Sequence, residues 1–346
     1  MSELGFDDIN MKERMKHYHV MGLSLALIEN GEVSVVDQYG LNETGTTNAV
    51  KTDSIFNACS ISKFLTAMIV MVLTEKGVLD LDEDVNSKLK SWKVPDFELI
   101  TSKKVTLRHL LSHQSGIIDP DDSISELNPR EGIPSMVELL EGKTPYCKAP
   151  IKVTFEPESD FHYSDAGFCI IQILIEDVTG KSFEDVATEQ IFNPLKMDNS
   201  FFAKTTELNE TFSCGHNKAG HLVDGKYTVY PYPAASGLWT TPADLARLVI
   251  ELMNSLKGES EIGLSQLKAS EMIHSQGCKE WTGLGVFLDG AEKGIEISSL
   301  GWGVGYQCMM AAAPYMGSGL VIMTNTDSGV HQLEGIIGEV YRSFTS

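Results

Sequence analysis

Three things are scarce in this chain: basic charge, paired cysteines and long apolar runs. Its 346 residues hold 27 lysines and arginines against 48 aspartates and glutamates, a formal net charge of −21. Such a chain repels phosphate backbones and anionic lipid headgroups, and no Lys/Arg-rich patch offsets it, so neither nucleic acid nor a membrane is an expected partner. The acidity itself speaks for solubility and names no substrate. The cysteines (Cys59, Cys147, Cys169, Cys214, Cys278, Cys308) include no C-x-x-C pair, which leaves no zinc knuckle and no disulfide framework to build on. A reducing compartment suits them. The longest apolar stretch, Phe64 to Leu73, is too short to span a bilayer and is interrupted by Thr66. The first residues, Met1 to Asp8, are acidic where a secretory leader would be basic, from which a cytoplasmic protein is expected.

Apolar material is ample, at 42% of residues, enough for one large core or two modest ones without staples. Residues 6–19 predict a short helix. Gly22 to Asp37 reads as two β runs joined at Asn30-Gly31, a dipeptide suited to a hairpin turn. Ser54 to Cys59 leads into Ser60, and the residues that follow are apolar on nearly every side, the pattern of a helix buried in the middle of a protein. From Leu79 to about Thr211 short helices alternate with polar loops. Helices are expected again over Pro242–Met253 and Ser265–His274, strands over 283–288, 294–298, 306–311 and 319–325, and a closing helix over 330–344. Strands near both ends with helices between predict an α+β fold, an antiparallel sheet flanked by helices with an inserted helical domain. The expected division is a sheet domain built from residues 1–58 and 236–346 and a mainly helical domain from 59–235.

A serine and a lysine three residues apart share a helix face, so the amine reaches the hydroxyl. The chemistry needs that proximity, because a serine hydroxyl is a weak nucleophile until a nearby base takes its proton. The S-x-x-K pattern occurs three times: Ser60-Ile-Ser-Lys63, Ser87-Lys-Leu-Lys90 and Ser265-Gln-Leu-Lys268. Ser87 lies in a run of charged residues and Ser265 fits the start of an ordinary amphipathic helix. Ser60 alone falls where a strand-like run meets a wholly apolar helix. That context buries Lys63, which would depress its pKa, and sets Ser60 at a helix N-terminus whose amides favour an oxyanion. The competing reading is a serine N-cap followed by an exposed lysine. Cys59 is a poorer nucleophile candidate, since no lysine shares its face.

Several segments together resemble the serine β-lactamase and penicillin-binding-protein family, specifically the class C β-lactamase, DD-peptidase and family VIII esterase group. They are Val105-Thr-Leu-Arg-His-Leu-Leu-Ser-His-Gln-Ser-Gly-Ile, Asn193-Pro-Leu-Lys-Met and Ala235-Ser-Gly-Leu-Trp-Thr-Thr-Pro-Ala-Asp-Leu-Ala-Arg, in the family's order. The resemblance runs from about Gly22 to the C-terminus. It implies acyl transfer through a serine ester and hydrolysis by water. It also implies that Tyr163, in the family's Y-x-N position, relays the Ser60 proton to the leaving group. Here that motif reads Tyr163-Ser164-Asp165. Asparagine donates to a substrate carbonyl, whereas ionised aspartate only accepts and tends to keep Lys63 protonated. That favours Tyr163 over Lys63 as general base.

The family's third element is K-T-G or H-x-G on a strand beside the nucleophile. The ungapped alignment sets Ser299-Leu300-Gly301 on it, with Ser299 and Gly301 at the substrate and the Trp302 amide joining that of Ser60 in the oxyanion hole. The rival register, Trp302-Gly303-Val304, requires a shorter loop before Gly305. In either register the cation that meets a substrate carboxylate in the family is missing. A lost charge-assisted hydrogen bond costs about 1.5–3 kcal/mol, which leans the reading toward esters or uncharged acyl groups, with weak β-lactam turnover still compatible.

The histidines suggest no metal site. His109 and His113 are spaced i, i+4 but lack the glutamate a zinc hydrolase places beside its first histidine, and His17, His19, His216 and His221 read as structural or surface residues. His162, next to Tyr163, is either a partner of that residue or a spectator. Met68, Met71, Met309 and Met310 are read as core filler. The expected function is a serine acyl hydrolase without metal or cofactor, acting on a small-molecule or peptide acyl substrate: a small ester, a β-lactam or a D-amino-acid peptide, with esters preferred. Ser60, Lys63 and Tyr163 would be catalytic, and Asp165, Ser299 and Gly301 substrate-binding. The alternative is a non-catalytic binding or sensor module that kept the fold while its third motif decayed.

Overall fold

The computed structural model describes residues 10–95, 103–290 and 294–345. The helix expected over 6–19 is seen as α1 (Met11–His17), capped by the Asn10 side chain, which accepts from Glu13 N at 3.2 Å; residues 1–9 lie outside the described residues. Strands β1 (Gly22–Glu29) and β2 (Glu32–Gly40) pair antiparallel. They turn at Asn30 and Gly31, both at positive φ (54° and 77°), the geometry that matches strand twist in a two-residue hairpin.

The chain continues through β3 (Phe56–Asn57) and a 3-10 turn, Cys59–Ile61, into α2 (Ser62–Glu75), every residue of which from Ser62 to Leu73 is buried. The helical stretch then holds α3 (Leu107–Leu111), α4 (Met136–Leu140), α5 (Asp165–Thr179), α6 (Phe183–Ala187) and α7 (Asn193–Leu195), followed by β4 (Phe201–Phe202) and β5 (Leu238–Thr240). Next come α8 (Pro242–Lys257), α9 (Gln266–Met272), β6 (Phe287–Asp289), β7 (Glu296–Gly303), β8 (Tyr306–Ala313), β9 (Ser318–Thr324) and α10 (Ile336–Thr345).

The main sheet has the order β2-β1-β9-β8-β7-β6, with each neighbouring pair antiparallel. All its strands come from residues 22–40 and 287–324. Alternate residues of β1 serve two cores: Leu23, Leu25 and Leu27 pack with Met11, Met15 and Val340, while Ala26 and Ile28 join the larger core shared with α2, α5 and α8. Two-sided burial explains why β1 shows no apolar–polar alternation, its residues from Gly22 to Ile28 all being buried, Ser24 included. A second sheet, β3-β5-β4, ties the segment before the nucleophile turn to residues 201–202 and 238–240. Among the described residues no helix is long and apolar enough to cross a membrane.

Three sequence expectations are corrected. The strand expected over 283–288 forms only at 287–289, because Gly283 and Gly285 interrupt it and Gly285 turns at φ 72°. The strand expected over 294–298 runs on to Gly303, which places Ser299 and Gly301 inside β7. The closing helix begins at Ile336 rather than 330, since Gly335 is extended there.

Candidate active site

Ser60 sits in the 3-10 turn ahead of α2, and the turn is fixed from several sides. Asn57 is buried, donates to Thr228 O (2.7 Å) and accepts from Cys59 N (2.8 Å). Ser62 is committed to structure: its hydroxyl donates to Cys59 O (2.6 Å) and accepts from Leu238 N (3.0 Å). Cys59 is buried with a thiol pKa raised by desolvation, which removes it as a thiolate nucleophile. Met68, Met71, Met309 and Met310 are all buried, as core filler should be.

Lys63, only 3% exposed, donates from Nζ to Ser60 Oγ at 3.1 Å, to Ala235 O at 2.9 Å and to Asp165 Oδ1. Three acceptors around one nitrogen are the environment of an ammonium, whose three N–H donors are then all used. Burial works against that charge, but Asp165 outweighs it and holds the lysine pKa above its ordinary value. The depressed lysine expected from burial alone is therefore corrected: the carboxylate wins.

The Tyr163 ring lies 4.8 Å from Lys63 Nζ and stacks on His113 with centroids 4.3 Å apart. The residue is 42% exposed, while the hydroxyl interacts with Lys63 and Ser60; desolvation raises its pKa, and Lys63 only partly counters this. The sequence reading missed two groups that set this side of the site. His113 Nδ1 accepts from Ser164 N at 3.1 Å, so a neutral ring carries its proton on Nε2, and burial with the Lys63 charge pushes its pKa well below the ordinary value. Asp119 accepts from Ser164 Oγ (2.7 Å), Asp165 N (2.7 Å) and Ala166 N (3.0 Å) at the start of α5, and burial raises its carboxyl pKa. Together they fix the segment Tyr163-Ser164-Asp165. His162 stacks on Phe155 at 4.5 Å, and its Nε2 is a buried polar atom with no hydrogen-bond partner among the described residues.

A small cavity beside Ser60 is lined by Lys63, His113, Tyr163, Phe287, Ser299 and Leu300 among others. Gly301 lies against the nucleophile turn, where a Cβ would collide with Ala58 O and Cys308 Sγ. Strand β7 reaches Gly303, paired with Tyr306, so only Val304 and Gly305 form the turn and no loop is left to shorten. That geometry favours the Ser299-Leu300-Gly301 register. The Trp302 side chain does not line the cavity: the residue is 45% exposed and its indole donates to Asp327 Oδ1 at 2.9 Å. His109 takes part in the N-cap of α3, and His216 contacts Thr44 N and Asn325 O.

With that geometry in view, the sequence profile described as Beta-lactamase matches residues 8–336. The chain belongs to the beta-lactamase family. Among beta-lactamase-family relatives, penicillin-binding protein 4 of Amycolatopsis lactamdurans is 31% identical over 215 residues, 61% of this chain and 53% of that protein. Penicillin-binding protein 4* of Bacillus subtilis (strain 168) is 25% identical over 257 residues, 72% of this chain and 51% of its own length. The chain thus spans about half the length of these curated relatives. The fold is shared with the octameric penicillin-binding protein homologue from Pyrococcus abyssi (TM-score 0.76, 22% identity, 94% of this chain and 74% of that one). It is shared equally with the D-amino acid amidase from Ochrobactrum anthropi SV3 (TM-score 0.76, 22% identity, 99% and 98%). The architecture is that of the β-lactamase/transpeptidase fold.

Proposed function

We propose that this protein is a serine acyl hydrolase that works through an ester on Ser60, on a small ester in preference to a β-lactam or a D-amino-acid peptide. The observation that carries the reading is the 3.1 Å hydrogen bond between Lys63 Nζ and Ser60 Oγ at the wall of a cavity. Ser60 Oγ attacks the acyl carbon, and the bond to the leaving oxygen or nitrogen breaks. The Ser60 proton passes through Tyr163 to the leaving group, and water then hydrolyses the acyl-enzyme. Lys63 acts as a fixed positive charge that stabilises negative charge on the tyrosine and serine oxygens, and the Ser60 and Trp302 amides would hold the oxyanion. Ser299, at the cavity wall, borders the substrate, with Asp165 behind it on Lys63 and Gly301 against the nucleophile turn. The preference for esters rests on the missing cation: Ser299 offers a neutral hydrogen bond where a carboxylate-bearing substrate needs a charged one.

A second reading, a binding or sensor module without turnover, is favoured by one observation. Asp165 keeps Lys63 charged while burial keeps Tyr163 protonated, so no strong base stands beside Ser60 at rest. The two readings part in one experiment, hydrolysis of p-nitrophenyl acetate by the wild type and Ser60→Ala with EDTA present. Activity that survives the chelator and vanishes in the variant is expected; equal rates in both proteins would shift the conclusion to the binding module.

A further inference from the structure

A row of rings leads away from Ser60 on the Tyr163 side. His113 stacks on Tyr163 and meets Phe161 at 5.6 Å; Phe161 packs on Trp281 at 4.6 Å, and Trp281 lies 6.0 Å from Phe287. Phe287 itself lines the cavity beside Ser60. Trp281 is 44% exposed, so the row ends in open aromatic surface. Its carrier loop is anchored by Gln114, which donates to Gln276 O (2.8 Å) and Thr282 Oγ1 (3.0 Å) and accepts from Cys278 N (2.8 Å). The adjacent Lys279 is paired with Asp160 at 2.7 Å.

We infer that Phe161, Trp281 and Phe287 form the leaving-group subsite, and that it takes an uncharged aryl or similarly flat apolar alcohol. This rests on the serine-hydrolase reading above. The leaving oxygen must come to Tyr163 to receive its proton, so the group it carries departs along the flank where Tyr163 stands. That flank is aromatic and without an unpaired cation among the contacts described, which disfavours a carboxylate and favours ring-on-ring packing. Trp281 touches none of the proton-carrying groups and is a specificity residue.

The test holds the acyl group constant and varies the alcohol: kcat/KM for 2-naphthyl acetate and for ethyl acetate, with wild type, Trp281→Ala and Trp281→Phe. Trp281→Ala should lower kcat/KM for the naphthyl ester roughly three- to tenfold and leave ethyl acetate unchanged, and Trp281→Phe should restore most of the loss. Unchanged ethyl acetate turnover also reports that the variant is folded. An equal effect on both esters, or none on either, overturns the subsite. So does an effect that appears only with methyl phenylacetate, where the ring is on the acyl side. Failure of the underlying reading looks different, since Ser60→Ala would then hydrolyse every ester at the wild-type rate.

Discussion

Ser60-Ile-Ser-Lys63 and Ser265-Gln-Leu-Lys268 carry the same spacing of serine and lysine, yet the fold gives them different work. Ser60 lies within a 3-10 turn that runs straight into α2, so its side chain and that of Lys63 fall on one face and meet at 3.1 Å. Ser265 is extended (φ −70°, ψ 155°) and caps α9, its Oγ turned back to accept from Lys268 N at 3.3 Å. Lys268 then reaches Glu271 at 3.0 Å in a partly exposed pair. Spacing brings the amine to the hydroxyl only when the serine is already inside helical geometry. At an N-cap the same hydroxyl is spent on a backbone N–H.

The contrast breaks most sharply at the lysines. Lys63→Met should lower kcat/KM for p-nitrophenyl acetate by about 10²- to 10⁴-fold, the usual span for losing a positioned proton-transfer or charge-stabilising group. Lys268→Met should leave it unchanged. Steady-state kinetics on the two variants decide the matter, and comparable losses in both would mean that burial and turn geometry do not separate the two copies.

Next in size is the packing of β7 on the nucleophile turn. Gly301→Ala puts a methyl group into Ala58 O and Cys308 Sγ, an overpacking that should cost about 1–3 kcal/mol. Urea denaturation measures it. A variant as stable as the wild type would show that the strand does not press on the turn.

Much of this was legible in the residues. Asn30-Gly31 marked the hairpin, and the apolar run after Ser60 marked a buried helix and chose among three S-x-x-K copies. Tyr163 and the β7 motif came only from family resemblance, because a tyrosine in a polar segment carries no local signal of its own. His113 and Asp119 were missed, since their bonds to Ser164 and Asp165 span 51, 45 and 46 residues. The segment resembling the family did contain His113, which was the available hint. The rise in the Lys63 pKa followed from a contest between burial and Asp165 that depends on the contact actually being made.

Asp165 makes that contest testable. Asp165→Asn removes the carboxylate that raises the pKa of Lys63 and adds to that of Tyr163. Tyr163 then loses its proton at lower pH, so the rising alkaline limb of the kcat/KM profile, set by Tyr163 while Lys63 keeps its charge, should move toward lower pH. In the wild type, activity should climb as pH rises into the alkaline range, because Tyr163 starts protonated. A profile that stays in place, or moves the other way, would mean that the ionisation of Tyr163 does not limit the reaction.

The smallest effect belongs to the other serine. Ser265→Ala deletes an N-cap and the hydroxyl's bond to the exposed Glu75 carboxylate, so it should cost about 1 kcal/mol of stability, within the usual range of 0.5–2 kcal/mol for such caps. Ester hydrolysis should be unaffected. Thermal or urea unfolding gives the first quantity and kinetics the second. A stable but inactive Ser265→Ala would move the chemistry to the Ser265 copy of the pattern; a destabilised, active one is expected, with Ser265 serving the fold and leaving Ser60 as the proposed nucleophile.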